Sequence, residues 1–314
     1  MSGAAAANRV PNAGQKPGVD AGSGAGVGAA VLAPRIVNAL TIDVEDYFQV
    51  SAFAPYIRRQ DWDSRECRVE RNVDRILELL DAAGIKATFF TLGWIAERYP
   101  ELVRRIANGG HEVASHGYGH ERASDLSREA FSQDVQRAKG ILEDLTGQAV
   151  LGYRAPSFSI GLSNLWAFDQ LASAGYRYSS SIYPIKHDHY GMPDSPRFAY
   201  RVGAGLLEIP ITTLRVMKRN LPSSGGGFFR LLPYALSKWM LQRVNRADGE
   251  AAVFYFHPWE IDVDQPRIPG IDAKTRFRHY LNIGRTEQRL QQLMQDFSWG
   301  RMDRIFLPEL AAAP

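Results

Sequence analysis

The chain has 314 residues, 45% of them hydrophobic and 11% aromatic, with 37 basic against 34 acidic residues and a formal net charge of +3. That composition is of a folded globular protein, and the charges are scattered enough that a pI near 8.9 calls for neither a nucleic-acid nor a membrane surface by itself. The single cysteine, Cys67, excludes an internal disulfide and any all-cysteine zinc site, and fits a reducing compartment.

Residues 1–35 are rich in Gly and Ala and lack a basic start followed by a sustained apolar run, so they read as a disordered tail and not as a signal peptide or anchor. No later stretch offers the roughly 18 uninterrupted apolar residues that a membrane span needs. The expected location is the cytoplasm.

From Arg35 onward short apolar runs alternate with amphipathic stretches. "NALTID" (38–43) reads as a buried strand, and Val73, Ile76, Leu77 and Leu80 follow the helical period over 70–83, with Gly84 placed to stop the helix. "KATFFTL" (86–92) is the next strand, Glu101 to Asn108 a helical piece broken by Gly109-Gly110, and "HEVASH" (111–116) a third strand. Ser127 can cap a helix to about Leu145, followed by "VLGYRAP" (150–156), and Ser163 can cap another to about Ala174, followed by "YRYSSS" (176–181). Then come "LLEIPIT" (206–212), a helix over 233–245 and "AAVFYFHP" (251–258), which makes about seven strands. Strands alternating with helices imply parallel pairing, and seven such units suggest a closed or nearly closed barrel, with an open doubly wound sheet as the runner-up. The segments 214–232 and 259–284 are too long and irregular for connectors and read as loops over the site mouth.

Either architecture gathers ligands at the carboxyl ends of the strands, where Asp43, His116, Arg154 and His257 all fall. "ASHGYGHE" sets His116 and His120 four apart with Gly117 and Gly119 between them, and "TIDVEDYF" places three acids in four residues directly after an apolar strand. Two imidazoles and a carboxylate with open positions make a catalytic metal centre. Taken singly, each feature has a plainer reading: a solvated acidic turn, a core histidine at His257, a salt-bridge arginine at Arg154, and packing for Trp166 and Trp259, which could otherwise be sugar platforms.

The ordered set of Asp43 with Glu45 and Asp46, His116-x-x-x-His120, Arg154-Ala-Pro and His257 resembles the polysaccharide deacetylases of the NodB-homology, carbohydrate esterase type. "DVEDYFQVSAF", "SGGGFFRLLP" and "FYFHPWEID" resemble the subgroup associated with exosortase-linked exopolysaccharide loci. The resemblance covers roughly residues 37–308, so the expected organisation is a tail over 1–35, one catalytic domain over 36–308 and a short tail over 309–314. It implies an α/β fold, a distorted (β/α)7 barrel in a single domain with long loops over the C-terminal face of the strands. It also implies one divalent ion, most often zinc with cobalt or nickel able to replace it, and removal of the N-acetyl group from a hexosamine in a glycan. In this reading His116, His120 and either Glu45 or Asp46 hold the metal, Asp43 takes a proton from the attacking water, His257 protonates the leaving nitrogen, and Arg154 orients Asp43. The expected partner is an N-acetylated oligosaccharide, with no nucleic acid and no transmembrane segment.

Three features depart from the family pattern, the smallest being Tyr255-Phe256-His257 where Leu-x-His is usual. Val44 follows Asp43 where a second aspartate is common, so the acidic ligand stays open between Glu45 and Asp46; strand alternation favours Glu45, and a turn at Val44 would favour Asp46. The family often has an aspartate near the fifth strand that tunes the acid histidine, and "YSSSIYP" has none. Other readings of the same residues are hydrolysis of a small amide on this scaffold, a non-haem iron oxygenase, and a catalytically silent glycan-binding protein.

Overall fold

The computed structural model describes residues 36–187 and 191–308, so both tails inferred from the sequence lie outside it. In chain order the elements are β1 (Val37–Val44), α1 (Val69–Ala82), β2 (Thr88–Thr91), α2 (Gly93–Arg98), α3 (Pro100–Asn108), β3 (Glu112–Ser115), α4 (Arg128–Thr146), β4 (Gly152–Tyr153), α5 (Ala167–Ser173) and β5 (Tyr178–Ser179). They continue with β6 (Tyr200–Val202), β7 (Leu206–Glu208), β8 (Thr213–Val216), β9 (Arg219–Pro222), α6 (Gly226–Leu231), α7 (Tyr234–Arg243), β10 (Val253–Phe256), α8 (Ala273–Tyr280), α9 (Ile283–Asp296), β11 (Ser298–Gly300) and α10 (Met302–Phe306).

Seven strands pair in parallel in the order β10-β1-β2-β3-β4-β5-β7; β6 adds an antiparallel edge to β7, and β11 lies beside the start of β1. The seven are the runs that the apolar pattern predicts. Alternation along each strand builds two layers. Leu40, Ile42 and Val44 of β1 join Phe89, Val113 and Phe254 in the outer core beneath the helices. Ala39 faces inward with Phe90, Ala114, Tyr178, Leu207 and Tyr255, which fill the barrel lumen. The inward phase that starts at Ala39 continues through Thr41 to Asp43, and this brings a carboxylate to the carboxyl end of the barrel.

The barrel does not close by a ladder. Between β7 and β10 the described residues are joined by side chains: Val253 N donates to Thr212 Oγ1 at 2.7 Å, the Ser224 hydroxyl donates to the Val253 carbonyl, and Ser223 Oγ donates to the Thr212 carbonyl at 3.2 Å. The opposite, amino end is plugged by α10, where Met302 N donates to Thr88 Oγ1 and Asp303 N to Glu112 Oε2. Burial and the nearby Asp303 raise the Glu112 carboxyl to about 7, so this inward acid is held by hydroxyls and amides in place of a cation.

Three expectations about elements need revision. The helix expected from Ser163 begins only at Ala167, because Asn164 stitches the preceding turn by accepting from Gly161 N and donating to the Ser159 carbonyl. Helix α7 stops at Arg243 and runs into a wider π turn that ends at Gly249, whose φ of 72° suits glycine. The segment 214–232 holds the β8–β9 hairpin and α6, and 259–284 holds a 3₁₀ turn and α8, so neither is a structureless loop.

Candidate metal and acid–base site

At the carboxyl end of the barrel, Glu45, His116 and His120 each offer one ligand atom within 4.8 Å of the others. Strand β1 ends at Val44, with Glu45 N turned back onto the Asp43 carbonyl, and the inward phase still carries Glu45 to the same side as Asp43. Asp46 goes the other way. Its Oδ1 accepts from Tyr47 N at 2.8 Å and its Oδ2 from Arg68 N and Val69 N at 2.5 and 2.8 Å, so it caps the start of α1. Of the two acids weighed as ligands, the structure brings Glu45 to the histidines and commits Asp46 to backbone amides.

His116 sits just past β3, and its Nδ1 is 2.9 Å from the Arg154 carbonyl, which leaves Nε2 as the free ring nitrogen. Burial lowers its pKa to about 4 against the pull of Asp43, so it is a neutral imidazole able to ligate at neutral pH. The turn to His120 needs its glycines. A Cβ on Gly117, at φ 76°, would lie 2.8 Å from Asp134 Oδ2, and one on Gly119 would collide with the Arg59 guanidinium. His120 itself takes a left-handed φ of 56°, a strain that is paid for at functional sites. Its Nε2 is 2.5 Å from Glu45 Oε2, an oxygen that is buried and receives no donor in hydrogen-bond geometry. A buried carboxylate oxygen lacking a donor, beside two imidazoles, fits a divalent ion.

Arg154 is fully buried and anchors the base side. Nη1 donates to Asp43 Oδ1 at 2.5 Å and to Thr41 Oγ1 at 2.8 Å, while Nε and Nη2 donate to the carbonyl and hydroxyl of Ser180 at 3.2 and 3.1 Å. Of the serines that stand where a fifth-strand aspartate was expected, Ser180 thus serves the arginine, while Ser181 Oγ accepts from Ala155 N. Just beyond it, Ser157 and Phe158 adopt consecutive left-handed φ values of 54° and 50°.

On the opposite side, His257 Nε2 lies 3.9 Å from Asp43 Oδ2 and 3.6 Å from Glu45 Oε1. Its Nδ1 is 2.7 Å from Glu260 Oε1, and because a carboxylate only accepts, Nδ1 carries the hydrogen and Nε2 is the atom turned to the site. Glu260 is held in turn by Arg230 Nε at 2.7 Å, and Arg230 by the carbonyls of Arg278, His279 and Leu281. Burial would strip the charge from His257, but Glu45, Glu260 and Asp43 outweigh it and raise its pKa to about 9. A cation on Glu45 would cancel that residue's share and leave Glu260 as the main support. Glu260 was missed in the sequence, although it stands three residues after His257 in "HPWE", at the spacing of a reciprocal helix cap.

Trp259 is not a sugar platform, because both its faces are taken. It stacks 5.1 Å from the His257 ring and 4.2 Å from the His279 ring, and its Nε1 donates to Glu45 Oε1 at 3.2 Å. Trp166 packs edge-on to Phe131 with Arg128 over its ring, on the α4–α5 flank.

This geometry can be set beside known proteins. A family model described as polysaccharide deacetylase matches residues 61–179, and one described as a domain of unknown function matches 180–307. Residues 61–179 thus belong to a polysaccharide deacetylase domain. The β5–β7 pairing shows that both matched segments share one sheet. A peptidoglycan-N-acetylglucosamine deacetylase from Bacillus cereus is 36% identical over 97 residues, 31% of this chain and 35% of that one. A peptidoglycan deacetylase from Helicobacter pylori is 31% identical over 113 residues, 36% of this chain and 38% of that one. The chain thus spans little more than a third of the length of these two relatives. Among solved structures, one assigned as a polysaccharide deacetylase from Mycobacterium smegmatis superposes with a TM-score of 0.57 at 21% identity, covering 88% of this chain and 92% of that one. The Puue allantoinase superposes at 0.58 with 18% identity, covering 89% and 92%. These two establish a shared fold.

Proposed function

We propose that the protein hydrolyses the N-acetyl amide of hexosamine residues in a glycan, with one divalent ion held by His116, His120 and Glu45, and that it serves exopolysaccharide synthesis. The observation that carries this reading is the meeting of those three ligands with an Arg154-anchored Asp43 on one side and a Glu260-supported His257 on the other. An amide carbonyl is a poor electrophile, and a bound cation, with zinc the best match to an imidazole–carboxylate set, would polarise it and acidify the attacking water.

The chain's own groups handle the protons. Asp43, its Oδ1 fixed by Arg154, accepts the proton of the attacking water through Oδ2. His257 Nε2 delivers a proton to the amide nitrogen as the carbon–nitrogen bond breaks, so acetic acid and a free amine form, Asp43 is left protonated and His257 neutral, and return of that one proton from Asp43 to His257 by way of solvent resets the site. Glu260 holds the ring so that Nε2 is the atom presented. The lone cysteine supports a reducing location such as the cytoplasm.

Acetate release from N-acetylglucosamine oligomers, with and without added zinc, tests the reading. Zinc-dependent release from oligomers supports it; turnover confined to small cyclic or linear amides supports an amidohydrolase on the same scaffold instead.

A further inference from the structure

The charge that looks scattered over the whole chain is sharply segregated in one segment. Residues 209–247 contain seven basic residues, Arg215, Lys218, Arg219, Arg230, Lys238, Arg243 and Arg246, and no acidic one. Arg230 belongs to the active site and Lys238 pairs with Asp296, but Arg215, Lys218, Arg219, Arg243 and Arg246 make no ion pair among the described residues. The same segment holds six of the twelve large hydrophobic side chains that the described residues expose: Val216, Met217, Leu221, Leu231, Leu236 and Trp239.

These groups lie on joined elements. Leu214 of β8 packs on Met240 and Val244, which flank the inner side of α7, and Leu221 lies opposite Leu214 across the hairpin. Val216 shares the Leu214 face by alternation. On α7, Leu236, Trp239 and Arg243 follow helical spacing along the exposed side. Met217 sits in the two-residue turn of the hairpin at a left-handed φ of 53°, where glycine or asparagine is the ordinary choice, and is 93% exposed. Nearby acids are taken: Asp248 by Arg197 and Asp296 by Lys238 and Tyr234. The amino-terminal segment is no acidic partner either, since residues 1–35 carry Arg9, Lys16 and Arg35 against Asp20.

We propose that the β8–β9 hairpin and the exposed side of α7 form a docking surface for an anionic phospholipid bilayer, on which the protein rests without spanning it. Unpaired cations beside exposed Leu, Val and Met with one Trp match the headgroup–acyl boundary, where basic side chains meet anionic headgroups and aliphatic ones enter the acyl layer. A saccharide chain would be met by aromatic faces and neutral polar groups, and this surface is mostly aliphatic. The inference does not depend on the proposed activity.

Co-sedimentation of the full chain with phosphatidylcholine vesicles, with and without phosphatidylglycerol, tests it. Binding should require the anionic lipid and fall with added salt. Lys218→Gln with Arg219→Gln should weaken partitioning about thirtyfold, and Met217→Ser with Trp239→Ser should weaken it at unchanged charge, both with the parent's melting temperature. Four results overturn the proposal: no vesicle binding; binding indifferent to lipid charge or to these variants; a dimer in sedimentation that Trp239→Ser dissolves; or retention on an acidic polysaccharide without retention on vesicles.

Discussion

The two sides of the site are assembled by different means. The side that holds Asp43, Glu45, His116, His120 and Arg154 comes from the ends of β1, β3 and β4 and the short turn after β3, and its side chains meet across the barrel, as where Arg154 reaches Thr41 of β1. The His257 side comes from the end of β10; Glu260 follows in the next 3₁₀ turn, and what stands behind it is borrowed from afar, Arg230 from α6 and His279 from α8. A site half built on regular strands tolerates drift in the loops; the acid half depends on two long segments being docked. Loss of one of the three ligand side chains on the first side should therefore abolish metal binding, whereas loss of a residue on the His257 side should only slow or misdirect chemistry.

The largest effect is expected from the ligands. His116→Ala and His120→Ala should each lose both the divalent ion and measurable acetate release, read by metal analysis beside activity, and tight retention by both variants would move the site elsewhere. Next is His257→Ala, which should fold and keep the ion while losing roughly 10²- to 10⁴-fold in rate. An acyl substrate with a good leaving group should recover much of that loss, and failure to recover it would remove His257 from the acid role.

Glu260→Gln sharpens the contrast, because it leaves the shape and removes the charge. An outer partner of this kind is typically worth about 10- to 100-fold, and kcat should fall with little change in KM. The pH profile gives a separate readout. His257 must be protonated to act; its pKa is raised to about 9 without a cation on Glu45, and with Glu260 as the main support in the metal-loaded enzyme the alkaline limb of activity should lie below that value and fall as pH rises through the histidine's pKa. Removing the Glu260 charge lowers the pKa, so the alkaline limb should move to lower pH; an unmoved limb would reduce Glu260 to a structural prop.

What could be read in the sequence follows the same division. The seven strands and the positions of Asp43, His116, Arg154 and His257 at their ends were legible because an apolar run of period two fixes both an element and its phase. Glu45 was favoured over Asp46 by that phase, and the rest of the choice lay in a contact 22 residues away, where Asp46 meets Arg68 N. Arg230 could not be tied to Glu260 by any local pattern, since the pair closes 30 residues of chain. Trp259 gives no sign in sequence that both its faces are occupied. The segregated charge of 209–247 was in plain view, and the near-neutral total concealed it.

The smallest effect expected is on stability. Glu208 on β7 accepts from Ser181 N and Ile182 N, its other oxygen is buried without a donor, and burial raises its pKa to about 7. The folded state thus favours the protonated acid, whereas the unfolded chain ionises near 4.5, so this group costs stability progressively as pH rises from about 4.5 to about 7. Glu208→Gln should flatten the decline in melting temperature over that window, and an unchanged slope would show that the carboxyl ionises freely in the fold.

The division of labour between the first two acids of "DVED" is tested most directly by zinc titration calorimetry on Asp43→Asn and Glu45→Gln. Asp43→Asn should bind zinc about as tightly as the parent while losing most activity, and Glu45→Gln should lose both. If Asp43→Asn releases the metal and Glu45→Gln retains it, then Asp43 is the ligand, and both the proposed base and the proposed metal site are wrong.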